Sequence, residues 1–172
     1  MFCLLDWAKD LFPLGRSLTG EGVRETLAYL KNELPDLRLH QVSTGTKAFD
    51  WEVPQEWRVR EAYLEHETGQ RFAEFKKNNL HLVGYSVPTD EVLALEDLRS
   101  RIHTLPDTPD WIPYVTSYYA SNWGFCLSEN ELASMPQGKY RAFIDSELFD
   151  GVLDYADLVI PGESEEELLF ST

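Results

Sequence analysis

The stretch WRVREAYLEHETGQRFAEF, residues 57–75, decides the fold class of this chain. Residues 57–64 predict a β-strand, Glu67-Thr68-Gly69-Gln70 predicts a turn, and residues 71–75 predict a partner strand. After a second turn, residues 80–85 continue the extended pattern. Consecutive strands joined by short turns form hairpins, so the middle of the chain is predicted to be a hairpin meander and not a βαβ unit.

Two amphipathic helices are predicted before this meander, over residues 2–12 and 21–34. In the second helix, apolar residues recur at spacings of four, three and four, which builds one apolar face. Thr19 is the predicted N-cap, and Pro35 ends the helix. Residues 37–42 then alternate apolar and polar side chains, as a half-buried strand does.

The second half of the chain is predicted to mix short helices and strands, which makes the whole chain an α+β protein. Its 172 residues suit one domain or two small ones. The predicted elements are a third helix opening at Thr89-Asp90-Glu91 with Val92, Leu95, Leu98 and Ile102 on one face, a strand over 114–119, a short helix to about Met135 begun by the capping box Ser128-Glu129-Asn130-Glu131, strands over 139–146 and 152–160, and a terminal strand from Glu167.

The charge balance restricts the partners of this chain. It carries 15 basic and 30 acidic side chains, a net charge of −15. A surface of this sign repels phosphate backbones and anionic membranes, so we expect neither nucleic-acid binding nor membrane binding. Cys3 and Cys126 form no CxxC pattern, and no signal peptide or transmembrane run is recognised, so the predicted location is cytoplasmic.

No familiar catalytic motif is present. None of the four histidines lies three or four residues from another, and GxSxG, P-loop and GxGxxG patterns are missing from the sequence. Glu65-His66-Glu67 resembles a metal-binding triplet, but strand alternation would put His66 opposite both carboxylates, so a solvated strand end is the favoured interpretation. Cys126 has no nearby cation and is predicted to be an inert buried thiol.

Two aromatic groups are the candidate binding residues. Asp50-Trp51 places a carboxylate beside an indole, as does Glu56-Trp57, and such a pairing can bind a sugar or an amine, although Trp51 and Trp57 as core anchors are the favoured interpretation. Tyr118, Tyr119 and Trp123 place three large rings with polar tips within six residues, more than a core usually needs. We predict that Asp50, Trp51, Tyr118, Tyr119 and Trp123 contact substrate.

Long stretches of this sequence resemble a bacterial aminopeptidase-like family. The stretches are Asp50-Trp51-Glu52-Val53-Pro54-Gln55-Glu56-Trp57, Gly84-Tyr85-Ser86-Val87-Pro88, Tyr114-Val115-Thr116-Ser117-Tyr118-Tyr119 with Trp123-Gly124-Phe125-Cys126, and Arg16-Ser17-Leu18-Thr19-Gly20-Glu21-Gly22. Its members are similar to zinc exopeptidases of the leucyl-aminopeptidase and glutamate-carboxypeptidase kind with an inserted β-rich domain of unknown function. They often occur beside surface-polysaccharide biosynthesis genes.

The resemblance implies a division of the chain. Residues 1–44 and 146–172 would be part of the exopeptidase α/β domain, and residues 45–145 would be the β-rich insert, a sandwich or barrel-like meander. The family's metal-binding and general-base segments would follow Thr172. The chain would therefore hold no cofactor and no catalytic residue, zinc would belong to an intact parent protein, and the chain alone is predicted to be inactive.

The predicted function is accessory: the insert shapes substrate access for a peptidase-like hydrolase acting on a peptide or amide. The partner would be the remainder of the peptidase domain. A glycan- or protein-binding module and an oligomerisation domain are the alternatives. The chain ends on an apolar stretch that predicts a strand, so we also expect a protein cut in mid-fold and self-association through an exposed strand edge.

Overall fold

The computed structural model describes residues 4–164 and 166–171. The described part of the chain is a mixture of α-helices and short strands. The helices are α1 Leu4–Leu11, α2 Glu21–Glu33, α3 Leu95–Leu98 and α4 Glu129–Ser134; the strands are β1 Arg38–Ser43, β2 Lys47–Ala48, β3 Trp51–Glu52, β4 Glu56–His66, β5 Arg71–Phe72, β6 Thr89–Ala94, β7 Ile102–His103, β8 Phe125–Cys126, β9 Lys139–Phe149 and β10 Val152–Asp157.

A four-stranded antiparallel sheet forms the centre of the molecule, with strand order β5-β4-β9-β6. The long strands β4 and β9 pair along nearly their whole length, with one irregularity between Val59 and Glu61. The predicted hairpin of residues 57–75 is confirmed in β4 and β5. Because β5 and β6 are open edges of this sheet, it forms no barrel, and the order differs from that of the predicted meander.

One hydrophobic core lies against this sheet. Its fully buried side chains include Leu64, Phe125, Leu127, Tyr140 and Ile144. They come from β4, β8 and β9 and from the segment after β8, so the core joins residues far apart in the sequence. Burying each large apolar side chain stabilises the fold by about 1.5–3 kcal/mol.

A second unit, which we call the outer layer, consists of α1, α2, β1 and β10. β1 and β10 form a two-stranded antiparallel ribbon, from Arg38 opposite Asp157 to Ser43 opposite Val152. α2 packs against β10, and α1 contacts α2 through the edge-to-face pair Trp7 and Tyr29. Neither α1 nor α2 contains a fully buried residue.

Local sequence signals predict the positions of α2 and α4 correctly. α2 occupies the predicted residues, and Ser128 caps α4 by accepting the Glu131 N–H at 3.1 Å. Glu131 does not close the capping box, since its carboxylate accepts the Ala73 N–H at 3.2 Å. The predicted Thr19 cap of α2 is wrong: Gly20 is the N-cap, and Thr19 is buried in other contacts.

The predicted third helix is largely wrong. Residues 89–94 form the strand β6, which pairs with β9, and only Leu95–Leu98 are α-helical. Val92, predicted on the buried helix face, is 64% exposed. Pairing with a long neighbouring strand outweighs the helical spacing here, and Arg141 adds two hydrogen bonds to the Asp90 carboxylate at 2.6 and 2.7 Å.

Three predicted strands are also corrected. Residues 79–81 form a 3-10 turn capped by Asn78, and residues 114–119 contribute only an isolated bridge between Gly84 and Thr116. The predicted terminal strand is not formed, since residues 166–171 adopt no regular structure. Leu168, Leu169 and Phe170 are all exposed.

Candidate functional site

A glycine-containing loop, residues 15–22, forms one wall of a cleft. Gly20 has a φ of +101°, and a Cβ there would lie 3.0 Å from the Trp57 carbonyl oxygen. A Cβ on Gly22 would collide with the Gly15 carbonyl. These positions need glycine because the loop folds tightly on itself and lies close to β4.

The cleft between this loop and β4 has a volume of about 130 Å³. Aromatic side chains line one part of it, namely Trp57, Phe75 and Tyr114. Polar side chains line another part, among them Arg16, Ser17, Thr19, Glu21 and Asn79. A cleft with an apolar wall and a few polar groups has the usual composition of a small-molecule site.

Four rings continue from the cleft and form what we call the aromatic row: Trp57, Tyr85, Tyr118 and Tyr119. Trp57 and Tyr85 stack with centroids 5.8 Å apart. Tyr85 meets Tyr118 edge-on at 5.9 Å, and Tyr118 lies 4.2 Å from Tyr119. The row runs from a half-buried indole to Tyr119, which is 78% exposed.

Tyr85 is the fixed centre of the aromatic row. Its backbone φ is +64°, a left-handed conformation that a bulky residue rarely adopts. The buried ring holds this geometry through its hydroxyl, which shares a 2.8 Å hydrogen bond with Thr19 and donates to the Gln55 carbonyl at 3.1 Å. Burial raises the pKa of Tyr85 above its ordinary value.

Two of the five predicted contact residues, Tyr118 and Tyr119, are in ring contact and end the aromatic row. The neighbouring Tyr118 hydroxyl raises the pKa of Tyr119, and the charge of a third predicted residue, Asp50, adds to this shift. Asp50 lies in the exposed turn between β2 and β3, beside the fully exposed Phe49.

The other two predicted contact residues have different surroundings. Trp51 is half-buried in β3, opposite Ala48 of β2. Trp123 lies in the hydrophobic core, only 8% exposed, edge-on to Phe125 and beneath the Arg101 guanidinium. Trp123 is therefore not part of the aromatic row.

A buried ion cluster joins the outer layer to the central sheet. Arg24 of α2 binds both carboxylate oxygens of Glu56 at 3.1 and 3.0 Å and one oxygen of Asp154 at 3.1 Å. Burial alone would raise the pKa of Glu56, but Arg24 and the Val152 N–H together hold it below its ordinary value. Glu56 is thus a charged structural link between α2, β4 and β10.

Residues 4–164 and 166–171 contain no group of three or more histidine, cysteine, aspartate or glutamate side chains that could hold a metal ion.

Two residues considered in the sequence have buried side chains. His66 is buried, not solvated as expected, and its ring contacts the Thr68 hydroxyl and the Gln137 carbonyl. Cys126 is the predicted inert thiol, since burial raises its pKa to about 12.

Sequence reasoning missed the cleft and the inner half of the aromatic row. Gly15 and Gly22 line the cleft, whereas Gly20 lets the loop lie close to Trp57 of β4. Neither Trp57 nor Tyr85 is among the five residues predicted to contact substrate. The spacing of glycines before the helix was the one local signal that could have indicated close backbone packing.

The fold and this site define an α+β protein with an open antiparallel sheet and an aromatic-lined cleft. Residues 56–147 match the family described as "Domain of unknown function (DUF2172)". The chain belongs to this family. No helix in the described part of the chain is long and apolar enough to cross a membrane.

Two comparisons involve Clostridium acetobutylicum. The chain is 45% identical over 164 residues to a protein named "Putative polysaccharide biosynthesis protein with aminopeptidase-like domain". It also resembles a crystal structure described as that of a "putative peptidase", with a TM-score of 0.86 and 44% identity over 94% of this chain. The chain spans 38% of the length of each. The names of these two relatives confirm the expected resemblance to an aminopeptidase-like protein.

Proposed function

We propose that this chain is the accessory, non-catalytic part of a peptidase-like protein and that it shapes access of a peptide or amide substrate. The outer layer would dock on the remainder of the peptidase domain. The aromatic row would lie at the substrate entrance. The protein would act in the cytoplasm.

The main observation in support of docking is that the outer layer is exposed. α1 and α2 together have no fully buried side chain, although amphipathic helices normally bury one face. β1 and β10 pair only with each other among the described strands, which leaves one edge of each unpaired. The exposed apolar side chains of this layer are Leu4, Leu5, Leu39 and Tyr155, and Phe12 follows α1. Such a surface suits contact with another domain.

The relatives support the nature of that domain. The chain spans only 38% of the proteins of Clostridium acetobutylicum described above, whose names refer to a peptidase or an aminopeptidase-like domain. We therefore propose residues 1–44 and 146–172 as the part that completes a peptidase domain, and residues 45–145 as the insert. β9 runs without interruption across the second of these boundaries.

Tyr118, Tyr119 and Asp50 are the proposed substrate contacts. The ring contact of the two tyrosines at the exposed end of the aromatic row and the effect of the Asp50 charge on Tyr119 support this choice. Trp51 would support Asp50 from the adjacent strand β3. Trp123 would not contact substrate and would contribute only to the stability of the core. Zinc would belong to the rest of the peptidase domain, since the described residues of this chain do not fit a zinc site.

A chimera tests the access role. This chain would replace the matching part of the Clostridium relative, and kcat/KM would be measured on a panel of amino-acid p-nitroanilides. We expect Tyr119→Ala to lower kcat/KM about fivefold, mainly through KM, because contacts made before the reaction affect binding. Trp111→Ala removes an exposed ring outside the aromatic row and is the matched control. An unchanged kcat/KM in a folded Tyr119→Ala chimera would remove the access role.

Glycan binding is the second candidate function. The relative's name refers to polysaccharide biosynthesis, and exposed aromatic rings can stack on sugars. Titrating the chain with oligosaccharides while following tryptophan fluorescence tests this candidate. Oligomerisation through the edges of β1 and β10 is a further prediction, which light scattering at increasing protein concentration checks.

A further inference from the structure

We infer that the cleft between residues 15–22 and β4 binds a single neutral sugar ring. This site differs from the predicted contacts at Tyr118, Tyr119 and Asp50, and it does not depend on docking to a peptidase domain. The inference rests on the size, lining and charge of the cleft.

The volume of the cleft limits its ligand to one ring. It measures about 130 Å³. An engineered protein cavity of roughly 150 Å³ accepts benzene, so this cleft has room for about one six-membered ring with part of its substituents in solvent. A longer glycan would contact it through one residue only.

The lining of the cleft suits the two kinds of surface on a pyranose. Trp57, Phe75 and Tyr114 supply aromatic area for the C–H bonds of one sugar face. Tyr85 stacks on the Trp57 indole, and the indole N–H donates to the Ser86 carbonyl at 2.9 Å, so the Trp57 ring is already held in place. A prepositioned ring loses little entropy when a ligand binds.

Hydroxyl groups on the cleft wall are free to bind a polar ligand. Within the described part of the chain, the side chains of Ser17 and Tyr114 make no hydrogen bond to protein, and the Tyr114 side chain is 67% exposed. Both line the cleft. A hydroxyl group can both donate and accept a hydrogen bond, so these two side chains can pair with the hydroxyls of a sugar ring. They would make no such bond with the apolar side chain of an amino-acid ligand.

The charged side chains around the cleft are already occupied. Arg16 donates to the Leu11 carbonyl at 2.9 Å, Arg58 pairs with Glu147 at 2.8 Å, and Glu21 pairs with Arg24 at 3.1 Å. A charged ligand would have to compete with these partners. The net charge of −15 further disfavours anions, so a neutral ligand fits best.

The cleft is also preformed. The Asn79 amide donates to the Phe12 and Pro13 carbonyls at 3.3 and 3.4 Å, and Gly15 lies against the Phe75 ring. These contacts fix the loop before α2 relative to the segment after β5. The wall therefore needs no rearrangement to accept a ring.

The test is a titration of the isolated chain, followed by the NMR signal of the Trp57 indole N–H. The probes are glucose, galactose and N-acetylglucosamine, with leucinamide as the amino-acid comparison. We expect at least one sugar to shift the Trp57 signal with a Kd in the low millimolar range. Ser17→Leu, which fills the cleft from an existing wall, should weaken this binding about tenfold.

Ser134→Leu is the matched control, since Ser134 is exposed at the end of α4 and does not line the cleft; its Kd should equal that of the unmodified chain. Two-dimensional spectra of both variants report whether they fold. If Ser17→Leu unfolds, Tyr114→Phe, which removes only a hydroxyl, replaces it and should weaken binding about threefold. No response to any sugar, a response only to leucinamide, or equal Kd values in the cleft variant and the control would overturn the inference. Since no peptidase domain is present, this result is independent of the docking test.

Discussion

The central sheet and the outer layer bury their side chains to very different degrees. Around β4 and β9, Leu64, Phe125 and Tyr140 are completely buried in one core. In the outer layer, two helices contain no fully buried residue, and Leu5 and Tyr155 expose much of their apolar surface. Amphipathic helices in water gain most of their stability from packing their apolar face. This contrast is the observation on which the proposed docking of the outer layer rests.

The largest effect should follow from removing a ring from the central core. We expect Phe125→Ala to lower the free energy of unfolding by about 4 kcal/mol, because it leaves a cavity that the packed sheet cannot fill. Urea denaturation followed by circular dichroism measures this loss. A loss under about 1 kcal/mol would mean that the core is loosely packed and that the comparison between the two regions fails.

The next largest effect should come from the ion cluster that joins the two regions. Glu56→Gln should cost about 2 kcal/mol, less than the roughly 3–5 kcal/mol of a fully buried pair, because Arg24 keeps Asp154 and is partly exposed. Thermal unfolding of the variant gives the loss. Arg58→Gln, which removes an exposed partner of Glu147, is the matched control and should change stability little.

The same cluster predicts the direction of a pH effect. The folded state holds the pKa of Glu56 below its ordinary value of 4.5, so Glu56 stabilises the fold above that pH. This contribution disappears as the pH falls through the lowered pKa. The stability of the unmodified chain should therefore decline more steeply in acid than that of Glu56→Gln. Parallel pH profiles would contradict the assignment of a lowered pKa.

A smaller effect is expected at α4, which contacts the core from its edge. Ser128→Ala should cost about 1 kcal/mol, since it removes the side-chain cap that accepts the Glu131 N–H. Ser134→Ala, at the other end of the same helix, provides the comparison. Similar losses for the two variants would show that the cap contributes no specific stability.

The smallest effect on the isolated chain should appear in the outer layer. Leu4→Ser and Leu5→Ser should each change the free energy of unfolding by no more than about 0.5 kcal/mol, because both side chains are exposed. Light scattering of the same variants checks whether they reduce any self-association. A loss of several kcal/mol in either variant would show that the outer layer is already packed, contrary to the comparison.

Prediction from sequence succeeded where local signals decide the structure. The spacing of apolar residues defined α2, and Ser128 marked the start of α4. Prediction failed at residues 89–94, where the apolar spacing is typical of a helix but the residues form a strand that pairs with β9. Sequence spacing cannot show which distant strand will be available as a partner.

The candidate site shows the same limit. Tyr118 and Tyr119 are neighbours in sequence, but the predicted strand over 114–119 would place their rings on opposite faces, so their ring contact was not predicted. Trp57, Tyr85 and the loop at residues 15–22 meet only through the fold, so the cleft could not be predicted from any one of them. Trp123 was grouped with the two tyrosines by proximity in sequence, yet its ring turns into the core.

Hydrogen exchange on two proteins tests the central claim most directly: the isolated chain, and the chimera in which it carries the remaining part of the Clostridium relative. Docking should cover the outer layer, so we predict that backbone amides of α1, α2, β1 and β10 exchange about tenfold more slowly in the chimera, while those of β4 and β9 change little. Equal exchange rates in the outer layer of both proteins, with the chimera folded, would contradict the account.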